Sequence, residues 1–186
     1  PWRVSGIGRA AAGRVPQDVD GRPVYGGTPA DDAVVQAIRE LVTRGHSVLF
    51  YPFVLMTQMP GNTLTDPRTG ASGQPALPWR GRITLSAAPG RPESPDGTAA
   101  ADAEVAAFFG TARAADFVVG DGTVAYHGPQ EWSYRRFILH YAALCAAAGG
   151  VEAFCIGTEM RALTRIRGAG GFPAVAALRD LAAEVR

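Results

Sequence analysis

The stretch from Val151 to Met160 constrains the fold more than any other. It follows Gly149-Gly150, runs almost wholly apolar through Ile156, and closes on Gly157-Thr158-Glu159. A near-continuous apolar run bounded by glycines predicts a fully buried strand of a parallel sheet. A carboxylate just past the C-terminal end of such a strand stands where α/β barrels keep their chemistry. Glu159 is therefore the first candidate for catalysis. Its position alone equally suits a solvated glutamate opening a helix, so the rest of the chain has to decide its weight.

The flanking segments predict an alternation of helices and strands. Residues 1–27 are glycine-rich and read as an irregular lead-in. Thr28-Pro29-Ala30-Asp31 is a helix start, with Thr28 as N-cap and Pro29 at the first helical position. Val34, Ile38, Leu41 and Val42 follow at helical spacing, and Gly45 supplies the stop. Ser47 to Leu55 predicts the next buried strand, with a bulge or an end near Pro52, which cannot donate to a ladder. Residues 99–114 read as a helix, and Phe117-Val118-Val119 as a short strand. Asp121-Gly122 with the run from Thr123 to Tyr126 equally suits a hairpin. Residues 129–148 predict the clearest helix, with Phe137, Tyr141, Leu144, Cys145 and Ala148 on one face and Glu131–Arg135 as an i,i+4 pair. A helical turn from Met160 to Arg167 and a last helix opened by Pro173, with Val175, Leu178, Leu181, Ala182 and Val185 on one face, complete the series.

Such alternation implies βαβ units and a parallel sheet. Three strands with their helices amount to about half of an eight-stranded barrel, so the expected class is α/β, a partial (β/α)8 barrel over residues 28–186. The chain opens on Pro1 without a Met and stops at Arg186, where a further strand is expected, so it reads as a piece of something longer. Half a parallel barrel leaves open edges and an uncovered apolar face, and residues 1–186 alone are expected to aggregate or stay molten.

Between Thr57 and Thr98 the periodicity disappears. Thirteen of residues 57–97 are Gly or Pro, and a loop this long inside a domain is usually functional or disordered. It carries Pro78-Trp79-Arg80-Gly81-Arg82. A Trp among prolines and arginines suits stacking against the apolar face of a sugar ring; the structural alternative is that Trp79 only anchors the loop.

Composition narrows the function classes. With 47% hydrophobic and 19% charged residues the balance is that of a globular chain. A net charge of +1 gives no electrostatic reason to expect nucleic acid or an anionic membrane as partner. All 18 basic residues are Arg. No apolar run approaches the roughly 20 residues of a membrane span. Cys145 and Cys155 read as small buried hydrophobes; they form no zinc pattern, and no phosphate loop or His/carboxylate cluster appears, so neither metal nor cofactor is expected.

Taken in order, Tyr25-Gly26-Gly27-Thr28-Pro29, Tyr51-Pro52-Phe53-Val54-Leu55-Met56, Pro78 through Thr84, Glu131 through Arg136, His140-Tyr141-Ala142 and Ala148 through Phe154 with Gly157-Thr158-Glu159 resemble the TIM-barrel-like domain of gene transfer agent and phage tail-tip proteins. The resemblance runs over most of the chain. It implies a glycoside-hydrolase-like (β/α)8 domain within a hub or baseplate protein of a phage-like particle, made in the bacterial cytoplasm, with other tail proteins and an envelope or cell-wall polysaccharide as partners. Two departures stand out. The family pattern has an acidic residue soon after the Tyr-Pro-Phe strand, where this chain has Thr57-Gln58, and it favours Ser where this chain has Thr158.

In the hydrolases that the domain resembles, the acid/base glutamate ends the fourth strand, which maps onto Glu159, and the nucleophilic glutamate belongs to a later strand that this chain does not reach. Retaining hydrolysis uses two carboxyl groups about 5–5.5 Å apart. Glu159 would be the acid/base, tuned by burial and by its partner carboxylate. Trp79 would stack on sugar, and Arg80 and Arg82 would bind hydroxyls or acidic substituents. Tyr51, Tyr126 and His127 are further candidates for substrate contact, and a structural role is expected for His140. The rival reading is a non-catalytic scaffold or glycan-binding module of the tail tip, since a barrel fold alone fixes no activity.

Overall fold

A computed structural model of the chain describes residues 31–56 and 58–186 in full, and residues 2–5 and 11–14 as backbone strands. The expected cap at Thr28 and Pro29, the Tyr25-Gly26-Gly27 motif and Thr57 lie outside the described residues. Within the stretch expected to be irregular, β1 (Trp2–Ser5) and β2 (Ala11–Arg14) pair antiparallel.

Helix α1 (Asp31–Thr43) buries Val34, Val35 and Ile38. Leu41 and Val42, expected on that face, are instead exposed. The helix stops as expected at Gly45, whose φ of +80° is the left-handed conformation a C-terminal glycine supplies. Strand β3 (Leu49–Phe50) ends ahead of Pro52 and runs parallel to β6 (Ala153–Phe154), with Leu49 opposite Ala153 and Phe50 opposite Phe154. Both strands are much shorter than the apolar runs that contain them, and neither is fully buried as expected: Leu49 and Ala153 are exposed, and Phe50 and Phe154 are half-buried. Phe50 stacks on Phe154 at 5.8 Å and on Tyr141 at 5.6 Å, which fixes the pair against the helix behind it.

Residues 58–98 form a tied loop rather than a slack one. Asn62 donates to Met59 and Gln74 carbonyls, Gln74 donates to Thr65, and Thr65 bridges Ser72. Ile83 and Leu85 are each 1% exposed, so the segment contributes directly to the core. Burial of each such side chain stabilises by about 1.5–3 kcal/mol.

Helix α2 (Ala99–Phe109) is capped by Thr98, whose hydroxyl accepts from Ala100 N–H at 3.2 Å. It ends before the expected residue 114, because Gly110 takes φ +75° and the Glu131 carboxylate captures the N–H groups of Thr111 and Ala112. Strand β4 (Phe117–Val119) does not join the parallel pair. It forms an antiparallel hairpin with β5 (Val124–Tyr126) across Asp121-Gly122, the second option left open by the sequence.

Helix α3 (Tyr134–Ala147) begins five residues later than expected, behind its N-cap Ser133, whose hydroxyl accepts from Arg136 N–H at 3.2 Å. Glu131 is therefore off the helix and makes no i,i+4 pair. Arg135 instead donates to Ala112 O at 2.9 Å and pairs with Glu184. Phe137, Tyr141, Leu144 and Cys145 are buried as their spacing implies, and so are Ile138, Leu139, His140 and Ala143. A helix buried on nearly all sides is a central one. Burial pushes the Cys145 thiol up to about 12, consistent with a small core side chain; Cys155 is only half-buried. His140 is buried, with Nε2 3.1 Å from Asp31 Oδ2. Met160–Arg167 yields only a 3-10 turn at Leu163–Arg165. Helix α4 (Pro173–Val185) opens on its proline as expected; Leu181 is fully buried, while Val175 is exposed. The described residues thus make a mixed helix-and-strand fold with one small parallel sheet.

Candidate functional site

The parallel pair sends two segments out from its C-terminal end. After β3 come Tyr51 and Phe53, and after β6 comes the turn to Thr158 and Glu159. That turn is held from below. Tyr134, buried in α3, donates its hydroxyl to Ile156 O at 2.9 Å, and burial raises its phenol well above the ordinary value. A methyl on Gly157 would stand 3.0 Å from that hydroxyl oxygen.

Glu159 itself has φ +56°, the left-handed region. A non-glycine residue there costs roughly 1–2 kcal/mol and persists where its surroundings hold it. Its neighbours do so. Trp79 Nε1 donates to Glu159 Oε2 at 2.7 Å, and an Arg80 guanidinium N–H lies 2.9 Å from the same oxygen. Arg80 Nε points to Thr158 O at 3.4 Å, Tyr51 Oη shares a hydrogen bond with Thr158 Oγ1 at 2.6 Å, and Ala162 N–H donates to Gly81 O at 3.2 Å. The Arg80 guanidinium rests 4.5 Å from the centre of the Phe53 ring. The Glu159 carboxylate and these neighbouring contacts therefore staple the long loop to the β6 turn.

The resulting face is open. Trp79 is 49% exposed, Phe53 51% and Tyr51 43%. Glu159 is 47% exposed, and its partners are an indole and a guanidinium rather than the second carboxyl group and the burial that the sequence reading assigned to it. Oε1 accepts from none of the described residues, so it is the free atom of the carboxylate. Among the described residues there is no group of three or more His, Cys, Asp or Glu placed to hold a metal ion.

Of the residues singled out in the sequence, Tyr51, Trp79, Arg80 and Glu159 meet at this face. Arg82, Tyr126 and His127 are engaged elsewhere. Arg82 pairs with buried Asp66 at 3.1 Å and ties the loop to itself. Tyr126 donates to Pro129 O at 2.9 Å and carries the Arg136 guanidinium 3.9 Å above its ring. His127 is exposed after β5, with its backbone N–H donated to Asp116 O at 2.8 Å. Gln58, near where the family pattern has an acidic residue, is 2% exposed and faces no solvent. Three contributors escaped the sequence reading. Phe53 lies two residues beyond Tyr51, a spacing that keeps a side in extended chain. Thr158 and Gly81 gain their roles only through contacts between distant segments.

Residues 132–186 match the family described as the GTA TIM-barrel-like domain, in agreement with the resemblance drawn from the residues themselves. The matched stretch includes α3, β6, Thr158, Glu159 and α4. No curated protein matches the chain. No helix among the described residues is long and apolar enough to cross a membrane.

Proposed function

We propose that the chain is a glycoside-hydrolase-like domain of a gene-transfer-agent type of phage-like tail tip, and that it receives an envelope or cell-wall polysaccharide on the face around Glu159. The observation behind this reading is the 2.7 Å hydrogen bond from Trp79 Nε1 to Glu159 Oε2. It holds an exposed indole face beside a carboxylate, and a sugar ring has both complements: an apolar C–H face and hydroxyl donors. With Oε2 occupied by Trp79 and Arg80, Oε1 is the atom that would meet a glycosidic oxygen, with Glu159 as acid/base. Residues 28–186 would then be a partial (β/α)8 barrel with a long loop at 57–98. Exposed Leu49 and Ala153 would face the barrel interior, and Phe50 and Phe154 its helical shell.

A second reading, glycan binding without cleavage, draws on a specific observation. Among the described residues, no carboxylate but Glu159 takes part in the hydrogen bonds and ion pairs of this cluster. Retaining hydrolysis uses two, about 5–5.5 Å apart.

The test compares the full-length protein with its Glu159→Gln variant on envelope and cell-wall polysaccharides, by release of new reducing ends. Release by the wild type that falls by about a hundredfold or more in the variant identifies Glu159 as the acid/base. Glycan binding by both without release establishes the second reading. Neither binding nor release overturns both.

A further inference from the structure

The chemistry left open at this face selects among glycans, and the selection rests on the glycan reading above. We infer that the site takes uncharged sugars, hexose or N-acetylhexosamine units, and discriminates against acidic ones. The sequence alone suggested the opposite possibility, since two arginines flank Gly81 beside the stacking Trp.

A guanidinium that recognises a uronate or phosphate offers the ligand a pair of parallel N–H groups. Neither arginine is placed to do so. Arg80 is stacked on Phe53, its side chain is 14% exposed, and its charge is matched by Glu159 at 2.9 Å. Arg82 is matched by Asp66 at 3.1 Å. The paired charges of Arg80 and Glu159 cancel, and the carboxylate oxygen they leave without a partner among the described residues is an acceptor, Glu159 Oε1. An acidic substituent set against it would place two anionic oxygens together. A hydroxyl or an acetamido N–H would instead donate to it, while Tyr51 Oη, held by Thr158 at 2.6 Å, offers a second polar contact. Arg161, exposed just past the Glu159 turn, makes no hydrogen bond or ion pair with the cluster. It is the cation nearest in sequence that could defeat the selection, and the experiment includes it.

The test titrates the full-length protein with an N-acetylglucosamine oligomer, a neutral glucan oligomer and a galacturonic acid oligomer, each at low and at physiological salt, by calorimetry. The expected result is binding of at least one neutral oligomer with an affinity that changes less than about twofold with salt, and uronate binding weaker by about tenfold or more. Glu159→Gln removes the partner of Arg80 and should strengthen uronate binding by about threefold. Because Glu159 is half exposed, this variant is expected to fold, which a matching thermal midpoint checks. Tighter, salt-sensitive uronate binding by the wild type would overturn the inference while leaving a glycan site in place, and its loss in Arg161→Ala would identify the cation responsible. If no oligomer bound, the glycan reading would fall and this inference with it.

Discussion

The ring of Trp79 covers Gly81: a methyl group on the Gly81 Cα would come within 2.4 Å of Trp79 Cη2 and 2.5 Å of Cζ2 and Cζ3. The indole reaches Glu159 only because the residue two places along has no side chain. Hydrogen at that position is thus a condition of the Trp79–Glu159 bond.

Gly81→Ala should displace the indole while leaving the fold intact, since Trp79 is half exposed and has solvent to move into. The expected thermal midpoint lies within about 2 °C of wild type. Affinity for a bound polysaccharide should fall by about tenfold, and acrylamide should quench Trp79 more readily. A variant that binds as the wild type does would show that Trp79 is not part of the glycan surface.

Tyr134→Phe tests the support under the Glu159 turn. The hydroxyl that donates to Ile156 O is buried, and its removal leaves that carbonyl without its donor. Urea denaturation should show a loss of about 1–2 kcal/mol. Stability equal to wild type would mean that the turn does not depend on this hydrogen bond.

Acid should destabilise the domain through three carboxylates. Burial alone would raise Glu184, but hydrogen bonds from Arg113 and Ala114 N–H, with the charge of Arg135, outweigh it and hold the group below its ordinary 4.5. Burial is likewise outweighed at Glu131 by Ser133, Ala112 and Thr111, and at Asp96 by Arg167, from ordinary values of 4.5 and 3.8. A pKa lowered in the folded state adds stability that is complete above the unfolded value and disappears as pH falls through the folded one. Thermal midpoints should therefore hold steady down to about pH 5 and decline below it, with a shallower decline in Glu184→Gln. The same slope in both would remove Glu184 from this account.

Much of the architecture was legible because its signals are local. Gly45 and Pro173 mark helix ends by their own backbone chemistry, and the two apolar runs located the parallel pair. Two of the misreadings have a long-range cause. Glu131 fits an i,i+4 partner of Arg135 by spacing, yet it clasps the N–H groups at Thr111 and Ala112, and that long-range capture both shortens α2 and delays α3. In the same way Arg80 and Arg82 are indistinguishable in sequence, and only the fold assigns one to Glu159 and the other to Asp66. The strand position of Glu159 could be read directly, whereas its exposure could not, because exposure depends on what packs over a strand end.

The left-handed backbone of Glu159 has a consequence for how this sequence could drift. Glycine, or to a lesser degree asparagine, would relax that backbone by roughly 1 kcal/mol, but would give up the carboxylate's contacts with Trp79 and Arg80 in exchange. Glutamate at φ +56° is the less comfortable occupant. Under selection for thermal resistance alone, with no glycan present, a glutamate kept at this codon would be kept for those contacts and not for its chemistry.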